Sequence, residues 1–372
     1  MLLHLRSLPS PQCILVYTYV CRKGQRFAVH QKIAEKVSVL PSTRRLQKRT
    51  MGDLPKEKRL LIIDTDAGVD DAQAIVMAIG RPDVHVVAIT TVQGNVSTKQ
   101  VSKNVLRLLR LANRKDIPVY QGCEVSVIGA QRSATYFHGT DGFGDIPDTT
   151  EHENGEIQSE HGVLAMIRLV KENPGKLSLV AIGPLTNVAL AIRLYPEFGS
   201  QLKDCFVMGG NYHGIGNSSI SAEFNFYNDP EAAHIVLSEL KCTRPITLVC
   251  WEVCLDFSLT WEQYEQWLPE TGRVSRFLKQ AETFCVDFLR KNGYQFIVCD
   301  EVAVAASFDS SVIREATPAV AHVEMAGSRT RGQMVVDWKS KDPPNVLLIR
   351  KFDLEKLSQI FRDALRELEK DT

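Results

Sequence analysis

From residue 59 onward, short apolar runs alternate with longer amphipathic stretches, and this alternation constrains the fold more than any other feature of the chain. Residues 59–64 form a Leu/Ile run of strand length, too short for a helix. A helix with acids in its first turn is predicted over 71–80, and a β-branched strand over 84–92. The pattern continues through helix 97–112, capped by Ser97 or Thr98, and strand 117–120. Helix 159–171 stops at Asn173-Pro174-Gly175, and strand 177–182, helix 185–194 and strand 204–208 follow. Helix 230–240 has Pro230 in its first turn, and strand 246–250 comes after it. Strands alternating with helices predict βαβ units joined by right-handed crossovers. The expected fold class is therefore α/β: a single large domain whose open, mostly parallel central sheet is flanked by helices. Near the end the pattern changes. Residues 333–337 and 345–350 flank 339–344 and read as a C-terminal hairpin or a pair of antiparallel edge strands, closed by an amphipathic helix over 352–368. No internal repeat interrupts 57–370.

Charge and hydropathy narrow the function. Lys plus Arg and Asp plus Glu each number 44 in 372 residues, so no chain-wide basic field exists for nucleic acid. No apolar run approaches the roughly 18 residues of a membrane helix. Ten of the basic residues but only one acid, Glu35, fall in 1–50, which leaves 34 basic and 43 acidic residues for 51–372. The acid-poor, Arg-bearing front resembles a mitochondrial transit peptide. Pro9, Pro11 and Pro41 interrupt its periodicity, which favours a simple basic extension upstream of a second possible start, Met51. The expected organisation is an extension over 1–50 and a catalytic domain over 51–372. Nine widely spaced cysteines do not form a disulfide framework or a zinc pattern, and point to a reducing compartment. The expected location is cytoplasmic, with mitochondrial as the alternative.

Four carboxylates, Asp64, Asp66, Asp70 and Asp71, fall within eight residues directly after the first strand. In open α/β sheets the ligand site lies outside the carboxyl ends of strands. Acids this close repel unless a cation or hydrogen bonds hold them, and a hard divalent ion prefers such oxygens. Gly68 would permit the turn that folds the second pair over the first. Helix capping alone accounts for Asp70 or Asp71, but hardly for Asp64 and Asp66 as well.

The stretch from Asp64 to Ile75 resembles the signature of the nucleoside hydrolase family of the inosine–uridine-preferring type. Five further stretches resemble its motifs in the same order: Gly94-Asn95 at a strand end; the mobile loop from His138 through Asp141 to Gly144; Ile182 through Asn187; Met208-Gly209-Gly210; and Glu223 through Glu231. Cys299-Asp300 stands at the place of its late acid. The resemblance implies bound Ca2+ and a homodimer or homotetramer acting on a small-molecule nucleoside. It implies Asp66, Asp71, Asp300 and the Ile182 carbonyl as calcium ligands, with Asp66 also the base toward water. It places Asp70 and Asn95 at the 2′-hydroxyl, Glu223 and Asn225 at the 3′ and 5′ side, Met208 beside the ribose, and Asp64 behind the ligands. His138 is a candidate contact to the nucleoside, His213 a weaker one, and Asn187 reads as a cap or turn residue. Asp300 could also cap a helix over 301–308.

The chain departs from the pattern at Cys299, where the better-understood branch of the family has a His that protonates the leaving base. A thiol with an ordinary pKa of about 8.5 can donate, but weakly beside imidazole. The alternative is that Cys299 only packs. Residues 285–296 are expected to line the base pocket, with Phe288, Tyr294, Gln295 and Phe296 as candidates. Two other readings compete: a phosphohydrolase of the haloacid-dehalogenase type, and a nucleoside-binding pseudoenzyme.

Overall fold

In the computed structural model, which describes residues 58–129, 132–149, 156–270 and 272–370, the first apolar run is strand β1 (Arg59–Thr65), buried from Leu61 onward. The run is apolar throughout because both faces of the strand are covered. Leu61 and Ile63 enter one core and Ile62 the other. Each such side chain contributes about 1.5–3 kcal/mol by leaving water. The extension predicted over 1–50, and Met51, lie outside the described residues.

Nine more strands follow among the described residues: β2 (Val84–Thr91), β3 (Val119–Gln121), β4 (Ile157–Gln158), β5 (Leu177–Ala181), β6 (Asp204–Met208), β7 (Ile246–Val249), β8 (Ile313–Val323), β9 (Met334–Asp337) and β10 (Val346–Phe352). They form one open sheet in the order β4-β3-β2-β1-β5-β6-β7-β10-β8-β9, parallel from β4 to β10. The helices are α1 (Val69–Ile79), α2 (Thr98–Leu111), α3 (Thr135–His138), α4 (Gly162–Glu172), α5 (Thr186–Leu194), α6 (Phe224–Asn228), α7 (Pro230–Glu239), α8 (Trp251–Asp256), α9 (Trp261–Trp267), α10 (Arg273–Ala281), α11 (Thr283–Lys291), α12 (Asp300–Phe308) and α13 (Leu354–Leu368). Helices α1, α2, α12 and α13 cover one face, and α4, α5 and α7 the other. The chain runs outward from β1 through β2, β3 and β4, then returns to lay β5 on the opposite side of β1. That reversal leaves a crevice at the carboxyl ends of β1 and β5.

The C-terminal pairing differs from the sequence expectation. The runs at 333–337 and 345–350 do form strands β9 and β10, but they do not pair with each other. Strand β8 lies between them, antiparallel to both, so the hairpin is β8–β9. Periodicity missed β8 because it contains Pro318 and its first half is only partly buried. Asp300 also sits one place further in than expected: it is the first residue of α12, and Cys299 holds the cap position. The α2 cap is Ser97, whose side chain accepts from the Gln100 N–H.

Candidate active site

The acidic floor is built where β1 ends. Ala67 holds a φ of +36°, a conformation costing about 1–3 kcal/mol outside glycine, so surrounding bonds must hold it. Its N–H donates to Thr65 Oγ1 (3.0 Å), and Asn104 Nδ2 donates to its carbonyl (3.2 Å). The tight turn therefore falls on Ala67 rather than on Gly68, whose φ is −83°. Gly68 is required for space: a Cβ there would lie 2.7 Å from both Asn95 Nδ2 and the His138 ring. Gly94 is tighter still, because its Cβ would stand 2.0 Å from Asp66 Oδ2.

Each acid has its own support. Asp64 Oδ1 accepts from Thr90 Oγ1 (2.6 Å) and Asn187 Nδ2 (2.8 Å), while Oδ2 has no partner. Asp66 Oδ2 accepts from the Asn95 N–H (2.8 Å). Asp71 accepts from Thr65 Oγ1, from the Gly68 N–H (2.8 Å) and from Asn95 Nδ2 (3.3 Å), so it caps α1 as well as facing the cluster. Asp300 arrives on α12. Carboxylate oxygens of Asp70, Asp71 and Asp300 all lie within 4.8 Å of one another. Asp70 thus joins the tightest triad, with Asp66 lining the cavity beside it. Burial pushes the carboxyls of Asp64 and Asp71 up to about 7, with Asp70 adding repulsion at Asp71. Burial, then neighbouring acids, holds Asp66 and Asp300 well above the usual carboxylate range. An all-oxygen cluster whose members resist ionising together suits a hard divalent cation, which would reverse that resistance. The donors present fit such an ion.

The floor opens into a cavity of about 390 Å³, lined among others by Asp66, Asp70, Asn95, His138, Ile182, Met208, Glu223, Asn225, Cys299 and Asp300. Asp64 lies behind it, braced by Asn187, which also bonds the Thr91 carbonyl and the Cys123 N–H. Glu223 caps α6 and accepts from the N–H groups of Gly210, Asn225 and Phe226, which ties the end of β6 to α6. Burial lifts its carboxyl to about 7. Asn225 Nδ2 donates to the carbonyls of Ile182 and Met208 (3.2 Å each).

The far end of the cavity is aromatic. Phe288, Tyr294 and Phe296 line it, as expected, whereas Gln295 does not. The His138 ring is buried, and the Val69 N–H donates to its Nδ1 (3.2 Å). Burial lowers its pKa, against Asp70, so the ring is neutral with its proton on Nε2. The loop after it is strapped to α2: Asn104 Nδ2 bonds the Asp141 carbonyl, and Arg107 bonds those of Ile146 and Pro147. A hydrogen bond with Cys254 and burial raise the Cys299 thiol well above its ordinary value, so it stays protonated. His213 stacks on Tyr212 and does not line the cavity.

Sequence reasoning missed Gln73, Tyr136, Phe137, Ile215 and Trp251, all of which line the cavity. Trp251 comes two residues after the end of β7, so the strand-end rule that singled out Asp66 could have found it. Tyr136 and Phe137 sit beside His138 in the sequence. Gln73 lies inside the Asp64–Ile75 signature stretch, one helical turn after Asp70, which was the signal for it.

A cavity with an acidic floor at the carboxyl ends of a parallel sheet defines an α/β enzyme. Residues 61–359 match the family model of the inosine-uridine preferring nucleoside hydrolase, and the chain belongs to that family of hydrolases acting on N-glycosyl compounds. The inosine-uridine preferring nucleoside hydrolase of Leishmania major is 33% identical over 315 residues, 83% of this chain and 98% of that protein. A probable uridine nucleosidase 1 of Oryza sativa subsp. japonica is 33% identical, over 76% of this chain and 88% of its own length. A solved inosine-guanosine nucleoside hydrolase superposes with a TM-score of 0.76 at 34% identity, covering 83% of this chain and 98% of that one. Family membership replaces the phosphohydrolase reading. Among the described residues no helix is long and apolar enough to cross a membrane.

Proposed function

We propose that this protein uses a bound calcium ion to hydrolyse the N-glycosidic bond of ribonucleosides, purine or pyrimidine, to ribose and free base. The observation that carries this reading is the acidic triad of Asp70, Asp71 and Asp300, two of which line a cavity that also carries aromatic side chains. Asp66, Asp71, Asp300 and the Ile182 carbonyl would hold the ion, with Asp70 close enough to share in it. When bound, the ion supplies Lewis-acid activation of water and a charge that orients the sugar's vicinal hydroxyls.

The chain's own groups account for the remaining steps. Asp66 takes the proton from the attacking water. Asp70 and Asn95 orient the 2′ side of the ribose, Glu223 and Asn225 the 3′ and 5′ side, and Met208 packs against the ring. As the glycosidic bond breaks, the sugar becomes oxocarbenium-like, and the acidic floor favours that positive charge. The departing base needs a proton or a hydrogen bond. His138 offers Nε2–H and Cys299 offers a protonated thiol, both on the cavity wall.

The reading extends to a homodimer or homotetramer in the cytoplasm, with the catalytic unit in 51–372 and residues 1–50 outside it. The described cysteines, all free, suit a reducing compartment. The test is ribose release from inosine, guanosine, adenosine, uridine and cytidine by the full chain and by 51–372, with and without chelation. Release that stops on chelation and returns with calcium supports the reading. No release from any nucleoside by folded, calcium-loaded protein overturns it.

A further inference from the structure

Behind the aromatic end of the cavity lies a buried acid that the chemistry above does not use. Glu282 is fully buried where α10 passes into α11. Its Oε2 accepts from Gln73 Nε2 (2.7 Å), and its Oε1 pairs with the Tyr264 hydroxyl (2.6 Å). The Gln73 carbonyl oxygen accepts from Trp267 Nε1 (2.6 Å), so both ends of that amide are committed. The four residues join three parts of the fold. Gln73 stands on α1, within a turn of Asp70 and Asp71. Tyr264 and Trp267 belong to α9. Glu282 starts α11, which supplies Cys285, Phe288 and Leu289 to the cavity wall. The Cys285 thiol donates to the Glu282 carbonyl (3.1 Å), and Phe288 packs against Tyr136 and Phe137, with centroids 5.9 and 5.6 Å apart.

We propose that Glu282 is a positioning residue: through Gln73, Tyr264 and Trp267 it holds the α11 wall in register with the carboxylate floor and so sets recognition of the nucleoside's base. The proposal rests on the nucleoside hydrolase reading and names the device that serves its leaving-group end. Two buried polar groups, the Gln73 Nε2–H donor and the Tyr264 hydroxyl, bond the two oxygens of one carboxyl group, and an apolar side chain there would strand both. The charged neighbours are Lys279 of α10, whose ammonium lies 3.8 Å from the Tyr264 ring centroid, and Glu265 of α9, 3.7 Å from that ammonium. Burial lifts the Glu282 carboxyl to about 8. At neutral pH it therefore presents one donor and one acceptor, the same pair an amide offers, so Gln is its close mimic.

The experiment compares full-length Glu282→Leu, Glu282→Gln and Gln73→Leu with the parent chain. Hydrogen exchange of the α11 amides is measured without substrate, so it reads the network whether or not nucleosides are cleaved. Expected is exchange about tenfold faster or more over 283–291 in both Leu variants, with α2 unchanged and Glu282→Gln close to the parent. The second readout is KM and kcat for nucleosides and for p-nitrophenyl β-D-ribofuranoside, whose leaving group departs without base recognition. Glu282→Leu should raise KM for nucleosides about tenfold while changing the aryl riboside less than about threefold, and Glu282→Gln should restore the nucleoside KM. Unchanged α11 exchange in the Leu variants overturns the proposal, as does an equal loss on both substrate types. If Glu282→Leu does not fold, the α11 exchange of Gln73→Leu decides alone, because Gln73 itself lines the cavity and its kinetics would not isolate the α11 wall. Failure of the parent to cleave nucleosides sinks the hydrolase reading alone, and the exchange result still decides the role of Glu282.

Discussion

Asp71→Asn separates the proposed calcium site from the fold. The Asp71 carboxylate accepts from Thr65 Oγ1, the Gly68 N–H and Asn95 Nδ2, and an amide oxygen in the Oδ2 place keeps the latter two. The amide nitrogen then faces Thr65, whose hydroxyl can rotate to accept, so the lost bonding is worth about 1 kcal/mol. Against this stands the raised carboxyl: Asp71 titrates near 7 instead of 3.8, so above pH 7 its ionised form lowers the stability of the ion-free protein. The ion-free variant at pH 8 should therefore be no less stable than the parent. Calcium binding should suffer far more, because a carboxylate of the triad is gone. The expected loss is above about 100-fold, beyond the 10–100-fold typical when only an outer partner of a ligand is removed. At calcium 100 times the parent's Kd, the parent gains about 2.7 kcal/mol. For a domain of this size that is about 5 °C in Tm. The variant gains about 0.4 kcal/mol, under about 1 °C. Calcium titrations followed by thermal melts at pH 8, with ribose release on the same samples, make the check. A variant that still shows the full calcium-dependent rise in Tm, or parental turnover, would refute the assignment.

Three further outcomes follow from the same geometry. Gly94→Ala should cut turnover by about 100-fold or more, since its Cβ would displace the Asp66 carboxylate standing 2.0 Å away; steady-state kinetics showing a near-parental rate would mean the floor does not depend on that contact. His138→Ala should cost more than Cys299→Ala, about 10²–10⁴-fold against about tenfold, because a neutral imidazole is the stronger donor; the reverse order in kcat would make the thiol the principal proton source. Glu282 titrates near 8 when folded and near 4.5 otherwise, so its contribution to stability should be full below about pH 4.5 and be lost as pH rises toward 8, by a few kcal/mol in order of magnitude. Urea melts from pH 5 to 9 should show this slope in the parent and a flatter one in Glu282→Gln, and parallel curves would contradict it.

The parts of the fold legible in the sequence are those where burial repeats over several residues. Strand β1 reads as an uninterrupted apolar run because Leu61, Ile62 and Ile63 alternate between two cores, each covered by helices. The strand-end position of Asp64 and Asp66 then points to the site on physical grounds alone. Asp300 does not emerge that way: it reaches Asp70 and Asp71 from a distant helix, and only the family resemblance named it. Helices α8 and α9, six and seven residues long, are too short for a helical period to stand out, whereas α10 and α11 are as long as the predicted α5 and carry an amphipathic pattern that sequence reasoning missed. Strand β8 was missed for the opposite reason, since much of it is not buried and no apolar alternation marks it. The Gln73–Glu282 bond spans 209 positions, and although Gln73 lies within the signature stretch, nothing in the sequence pairs it with Glu282.

The acidic floor is costly to assemble, and the chain itself supplies hydrogen bonds that support it. Asp64 is held by Thr90 and Asn187, Asp66 by the Asn95 backbone, and Asp71 by Thr65, Gly68 and Asn95. The strained Ala67 is fixed by Thr65 and Asn104. Asn95 serves two acids at once, through its backbone and its side chain, and so couples the end of β2 to the end of β1. Burial raises the pKa values of these acids and so neutralises part of the repulsion between them. A divalent ion bound at the proposed site would displace protons from these carboxyls, so its affinity should fall as the pH falls, and calcium titrations at pH 6 and pH 8 check that sign.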